Sequence, residues 1–262
     1  MKTLLICHDG AQLETEVLSR WLSSFSNLVG MVIIQEPQNR LWRRVRREIH
    51  RIGIFRFIDV LAFRLYYRLF LARKDREWER RQVEQNRIHQ GEISRDIEIL
   101  KTPSPNAPQA QEFIERLNPD IVLARCKVIL KESVFSIPAK GTLVMHPGIC
   151  PEYRNAHGCF WALARRDLGR VGMTLLRVDR GIDTGPVFGY YTYAFDEVHE
   201  SHSVIQSRVV LENLDVLREK FVQIFQGTAT PLDTAGRSSN EWGQPRLTDY
   251  LRWKSQARRV HR

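Results

Sequence analysis

Runs in which consecutive residues are nearly all apolar recur along this chain, at Leu4–Cys7, Val29–Ile34, Ile121–Ala124 and Leu143–Met145. A strand with one wet face alternates apolar and polar residues. Runs without alternation must be buried on both faces, so they specify a sheet sandwiched between layers of helix. Between the first two runs, Leu13–Phe25 carries the periodicity of an amphipathic helix, and this β-α-β opening predicts right-handed crossovers into a parallel sheet. Beyond residue 90 the same reading predicts a strand at 96–100, a helix at 106–117 entered through Pro105, and a helix at 155–166. Two strands at 171–178 and 187–195 can pair through the turn between them, and 203–226 reads as one long helix. The expected fold is α/β, a doubly wound and mostly parallel sheet over residues 1–230. It is interrupted at about 37–90 and followed by a polar, basic tail at 231–262.

The interruption holds most of the charge. The 262 residues have a formal net charge of +10, and residues 40–81 alone contribute 14 Lys+Arg against 5 Asp+Glu. The protein is therefore a nearly neutral domain with one basic segment. Trp42, Val45, Ile49 and Ile52 fall at helical spacing, and a second apolar-aromatic stretch, Phe55–Leu71, follows Gly53. The segment reads as a helical hairpin with guanidinium edges, followed by a charged helical run at 73–90. Such a surface suits packing on its own domain, a homodimer contact or a membrane surface; its many apolar positions argue against nucleic acid. No run of eighteen apolar residues spans a bilayer. The four cysteines lack C-x-x-C spacing, which argues against zinc and for a reducing cytoplasm, with the insertion as a peripheral membrane contact.

The densest chemistry lies between Val144 and Pro186. An apolar strand runs straight into His146-Pro147-Gly148, placing an imidazole at the carboxyl end of a strand, where open α/β sheets bind ligands. A polar loop, Pro151-Glu152-Tyr153-Arg154-Asn155-Ala156-His157, leads into the next helix, and Gly181-Ile182-Asp183-Thr184-Gly185-Pro186 follows a later strand. Read singly, His146 is a strand-end histidine, Asp183 a turn residue and Asn155 a helix cap.

Together, in this order, His-Pro-x-x-x-Pro-x-Tyr-Arg and Gly-Ile-Asp-Thr-Gly-Pro resemble the 10-formyltetrahydrofolate-dependent formyltransferases, in outline the sugar N-formyltransferases. The resemblance implies a one-carbon group transferase with 10-formyltetrahydrofolate as co-substrate. An amine attacks the formyl carbon, donors meet the developing oxyanion, and a carboxylate helps move the amine proton. It implies His146 and Asp183 as catalytic groups. The family's asparagine two residues before the histidine is Val144 here, which cannot donate, so Asn155 or His157 is the candidate replacement. It further implies a pterin site at Val128, Ile129 and Leu130 with Gly181 and Ile182, and acceptor contacts at Arg154 and His157. Arg125 and Lys127 beside that site can face an acidic group or simply be exposed bases. Cys7-His8-Asp9-Gly10 lacks a glycine-rich phosphate cradle, which disfavours glycinamide ribonucleotide, and the span after the core disfavours a tRNA-binding barrel. A small-molecule amine on a sugar, free or nucleotide- or lipid-linked, is the expected acceptor. The rivals are a hydrolase of a formyl or related acyl group on the same fold, and a non-catalytic binding or scaffold protein.

Overall fold

The computed structural model describes residues 1–35, 48–90 and 97–260, and the side chains of 88–90 are not among those described. The proposed first arm of the hairpin, Leu41–Arg47 with Trp42 and Val45, lies outside the described residues.

The apolar runs form β1 (Lys2–His8), β2 (Asn27–Ile34), β4 (Ile121–Arg125) and β5 (Thr142–His146); β3 (Glu98–Thr102), β7 (Met173–Arg177) and β8 (Val187–Tyr191) complete the sheet. Its order is β3-β2-β1-β4-β5-β7-β8. The first five strands are parallel, whereas β7 runs antiparallel to both β5 and β8. Leu4, Leu5, Ile6 and Cys7 of β1 have no exposed surface, as consecutive apolar residues require. Because β2 and β3 lie on one side of β1 and β4 and β5 on the other, the chain reverses direction between β1 and β4. The carboxyl ends of β1, β4 and β5, at His8, Arg125 and His146, flank that crevice.

Helices cover both faces. α1 winds through Leu13–Leu18 into Ser19–Phe25, and its Trp21 indole N–H donates to the Leu214 carbonyl at 2.9 Å. α4 (Pro108–Leu117) starts with proline in its first turn, later than the expected entry through Pro105. α5 (Glu132–Phe135) lies between β4 and β5, and α6 (Gly158–Ala164) follows the site loop, shorter at both ends than the expected 155–166. The helix expected over 203–226 is two, α7 (His202–Leu211) and α8 (Leu214–Gln226). Between them, the Asn213 side-chain amide donates to the Thr192 carbonyl at 3.0 Å and the Val209 carbonyl at 2.7 Å, competing with the helical ladder.

The charged segments extend the sequence reading in one case and correct it in the other. After Gly53, Ile54–Tyr66 (α2) continues through Tyr67–Leu71 into α3 (Ala72–Gln90) with helical dihedrals at both joins, so residues 54–90 are helical without a turn. Phe57, Val60 and Phe63 bury one face of α2 on the domain, with Phe63 meeting Phe160 at 5.8 Å and Tyr250 at 5.4 Å between ring centroids. The basic C-terminal tail is a packed element. Trp242 belongs to β9 (Glu241–Trp242), which pairs with β6 (Arg154–Asn155), and α9 (Leu247–Val260) buries Tyr250, Trp253 and Ala257. Its apolar residues fall at helical spacing; the arginines between them give the stretch its tail-like composition. Among the described residues no helix is long and apolar enough to cross a membrane.

Candidate active site

β5 delivers His146 to the carboxyl edge of the sheet, where only 3% of its surface is exposed. The loop after β7 starts at the other end of that strand, the Val178 N–H donating to the Thr142 carbonyl at 2.8 Å. It then folds back along β5, so that Asp183 Oδ2 lies 3.3 Å from His146 Nδ1. Local chemistry makes this return feasible. Asp179 accepts from the Gly181 N–H at 3.0 Å and the Thr184 hydroxyl at 2.8 Å, and Asp183 adopts the left-handed conformation (φ 52°) that aspartate tolerates. At Gly185 a Cβ would stand 1.9 Å from the Arg177 carbonyl oxygen, so only glycine fits.

The loop after β5 closes the other side. His146 Nε2 lies 2.7 Å from the Tyr153 carbonyl oxygen, which can only accept, so Nε2 carries the proton. Gly148 permits this closure: a Cβ there would meet the Tyr153 oxygen at 2.6 Å and Gly158 Cα at 2.8 Å. Thr174, fully buried on β7, donates to the Gly148 carbonyl at 2.6 Å and accepts from the Cys150 N–H at 2.9 Å. In this closed arrangement both nitrogens of His146 are engaged.

Asn155 and Arg154 tie the two loops together. The Asn155 main-chain N–H donates to Asp183 Oδ2 at 2.8 Å, and Arg154 Nη1 donates to the Ile182 carbonyl at 2.8 Å. The Asn155 side-chain amide donates to the Trp242 carbonyl at 2.8 Å. His157 is half-buried, and burial, with the Lys127 and Arg64 charges nearby, lowers its pKa to about 4. Its ring lies 6.2 Å from that of His202, which burial holds at about 3 and whose Nδ1 has no hydrogen-bond partner.

The sequence-expected pterin wall divides. Leu130 is buried in the core with Leu4, Ile6 and Val134, whereas Val128 is half-buried and Ile129 is 69% exposed. Arg125 already has an acid, Glu14 Oε1 at 3.3 Å, and donates to the Met145 carbonyl at 2.5 Å. The Lys127 N–H donates to His8 Nε2 at 3.0 Å, joining the ends of β1 and β4. Sequence reasoning missed the Tyr153 carbonyl and Thr174, whose roles depend on main-chain positions. It also missed Trp242, which stacks on Tyr153 at 5.6 Å and Trp161 at 4.9 Å.

The buried histidines make a pH prediction. In the unfolded chain both titrate near 6.5, so below that value the unfolded state takes up protons that the folded state refuses until about pH 4. Stability is therefore full above about 6.5 and falls as the pH drops through this window. His202→Phe, within a cluster of Phe63, Phe160 and Tyr250, should show a shallower acid-side fall in thermal midpoint than the parent. Equal slopes would contradict it.

Comparison with known proteins bears on this site. Curated methionyl-tRNA formyltransferases match in part. That of Syntrophus aciditrophicus is 35% identical over 95 residues, covering 36% of this chain and 30% of its own. That of Caldanaerobacter subterraneus is 26% identical over 166 residues, covering 58% and 53%. The chain thus spans about half, or less, of the length of these relatives. Among solved structures, a sugar N-formyltransferase from Shewanella superposes with a TM-score of 0.56 at 11% identity, over 97% of this chain and 86% of that one. A 4-N formyltransferase from Francisella tularensis gives 0.54 at 10% identity, over 98% and 87%. These confirm the fold. The formyl transferase family model matches residues 67–219, which include β4, β5, His146 and Asp183. With more than half of its length under that match, the chain belongs to the formyl transferase family.

Proposed function

We propose that this protein transfers a formyl group from 10-formyltetrahydrofolate to the amine of a sugar-like acceptor. The observation that carries the reading is the His146–Asp183 contact at the carboxyl edge of the sheet, with the Asn155 N–H on the same carboxylate oxygen. Bound folate would supply the activated formyl carbon. Val128 and the exposed Ile129 offer an apolar wall beside that edge, and Gly181 and Ile182 offer main-chain groups on the opposite loop. In this reading the amine nitrogen bonds to the formyl carbon, Asp183 takes the amine proton directly or through one water, and the bond from that carbon to folate N10 breaks as a proton is delivered to N10, releasing tetrahydrofolate. An N–H of His146 is the donor to the formyl oxygen as negative charge develops on it. For Nε2 to donate to that oxygen it must leave the Tyr153 carbonyl, so donor binding is coupled to movement of the 150–155 loop. With Val144 incapable of donation, the second Asn155 amide hydrogen and His157 are the replacement donors. Arg154 and His157 are the acceptor contacts.

The test is tetrahydrofolate release from 10-formyltetrahydrofolate with a panel of free and nucleotide-linked amino sugars. Amine-dependent release with a formylated sugar product is expected. Release without an amine would make the protein a hydrolase. No release, together with no calorimetric binding of 5-formyltetrahydrofolate, would make it a non-catalytic member. The donor site has its own check: Ile129→Glu should weaken folate binding by about ten-fold or more, the consequence of placing a charge against the pterin.

A further inference from the structure

A cavity of about 730 Å³ lies away from His146, between the α2–α3 junction, the start of α7 and α9. Two basic segments far apart in sequence converge on it: Lys74 and Arg81 from the segment after β2, and Lys254, Arg258 and Arg259 from the C-terminal run, with Arg208 from α7. Two carboxylates also line it, and both are engaged. Asp75 is buried and accepts from the Tyr67 and Ser201 hydroxyls at 2.9 and 2.7 Å. Glu200 accepts from the Tyr193 hydroxyl at 2.8 Å and the Asp196 N–H at 2.9 Å, and neutralises Arg208 at 2.6 Å. Lys254 donates to the carbonyls of Glu197 at 2.8 Å, Val198 at 3.2 Å and Glu200 at 2.5 Å. Lys74, Arg81, Arg258 and Arg259 form no salt bridge within 4.0 Å among the described residues; Lys74 lies in the field of Asp75 and donates to the His199 carbonyl at 3.4 Å, and Arg81 lies in the field of Glu77. Like charges gathered around one hollow repel each other unless an anion lies between them. The volume is that of a small-molecule site, and Tyr66, Leu71 and Trp78 give it an apolar wall.

We propose that this cavity binds a phosphate ester, its phosphate held by Arg81, Arg258 and Arg259 and its organic part against Trp78 and Tyr66. The phosphate can belong to a soluble compound or to a lipid headgroup. The outer face of α2 bears on that choice. Ile54, Ile58, Leu61, Leu65 and Leu69 form an exposed apolar stripe at helical spacing, 43–65% accessible, and Phe70 beside it meets Tyr66 at 4.9 Å at the cavity. A lipid surface would take both the stripe and the charge.

Calorimetry with inorganic pyrophosphate, and flotation with phosphatidylcholine vesicles with or without phosphatidic acid, test the proposal on the full chain. The parent should bind pyrophosphate, phosphatidic-acid vesicles or both, and added salt should weaken the binding. Arg81→Gln/Arg258→Gln/Arg259→Gln alters only exposed side chains, so it should fold normally and lose about ten-fold or more in affinity. The corresponding triple lysine variant should retain most of it. Pyrophosphate binding without vesicle binding assigns a soluble ligand. Vesicle binding that requires phosphatidic acid, and is lost in Ile58→Ser/Leu65→Ser, assigns a headgroup. No binding of either probe by the parent, or equal binding by the triple glutamine variant, would overturn the proposal.

Discussion

Asp183→Asn is expected to lower turnover by about 10²–10⁴-fold, the range removed with a positioned acid–base group, while leaving the chain folded. The substitution is nearly isosteric. An amide oxygen can still accept the Asn155 N–H, now at 2.8 Å from Oδ2, but an amide cannot take a proton from an amine. His146→Ala should be as inactive, and it should also cost stability, because it empties a buried position and removes the partner of the Tyr153 carbonyl at 2.7 Å. The asparagine variant therefore isolates chemistry and the alanine variant does not. Steady-state turnover together with thermal unfolding of both variants provides the check. Near-parental turnover by a folded Asp183→Asn protein would remove the carboxylate from the mechanism. Folate affinity within a few-fold of the parent would show that the loss lies in the chemical step.

The parts of the molecule that were legible in the sequence are those where one residue type can serve only one environment. Leu4–Cys7 and Ile121–Ala124 could only be strands buried on both faces, and they are the centre of the sheet. His146 at the end of such a strand followed from the same logic. Its meeting with Asp183 did not, since the loop returns along β5 through main-chain geometry, and only the family resemblance joined the two motifs. The Tyr153 carbonyl carries no signature at all, because any residue would present one. The break at Asn213 was hidden by apolar residues on both sides, and a single side chain bonding the Val209 carbonyl decides it. The C-terminal helix was hidden by its arginines. Tyr250, Trp253 and Ala257 set its buried face, and that spacing was present in a stretch whose charge drew the reading toward a tail.

Trp253→Ala tests that correction directly. The indole is fully buried, packs edge-on to Tyr250 at 5.5 Å and has the Lys254 ammonium 4.3 Å over its ring. Its N–H donates to Glu197 Oε2 at 3.2 Å, and Glu197 is itself buried and paired with Arg166. Truncating a buried tryptophan costs about 3–5 kcal/mol. The change also removes one hydrogen bond to Glu197, which keeps the Arg166 guanidinium on both of its oxygens. Since α9 packs on both α2 and α6, losing its anchor should loosen the long helix as well as the C-terminus. Leu251→Ala, two residues away on the exposed face at 47% accessibility, is the control and should move stability by no more than about 0.5 kcal/mol. Urea unfolding of both variants compares the two directly. A tail draped on the surface would give two small and similar values, whereas a helix that completes the core gives a large difference confined to Trp253.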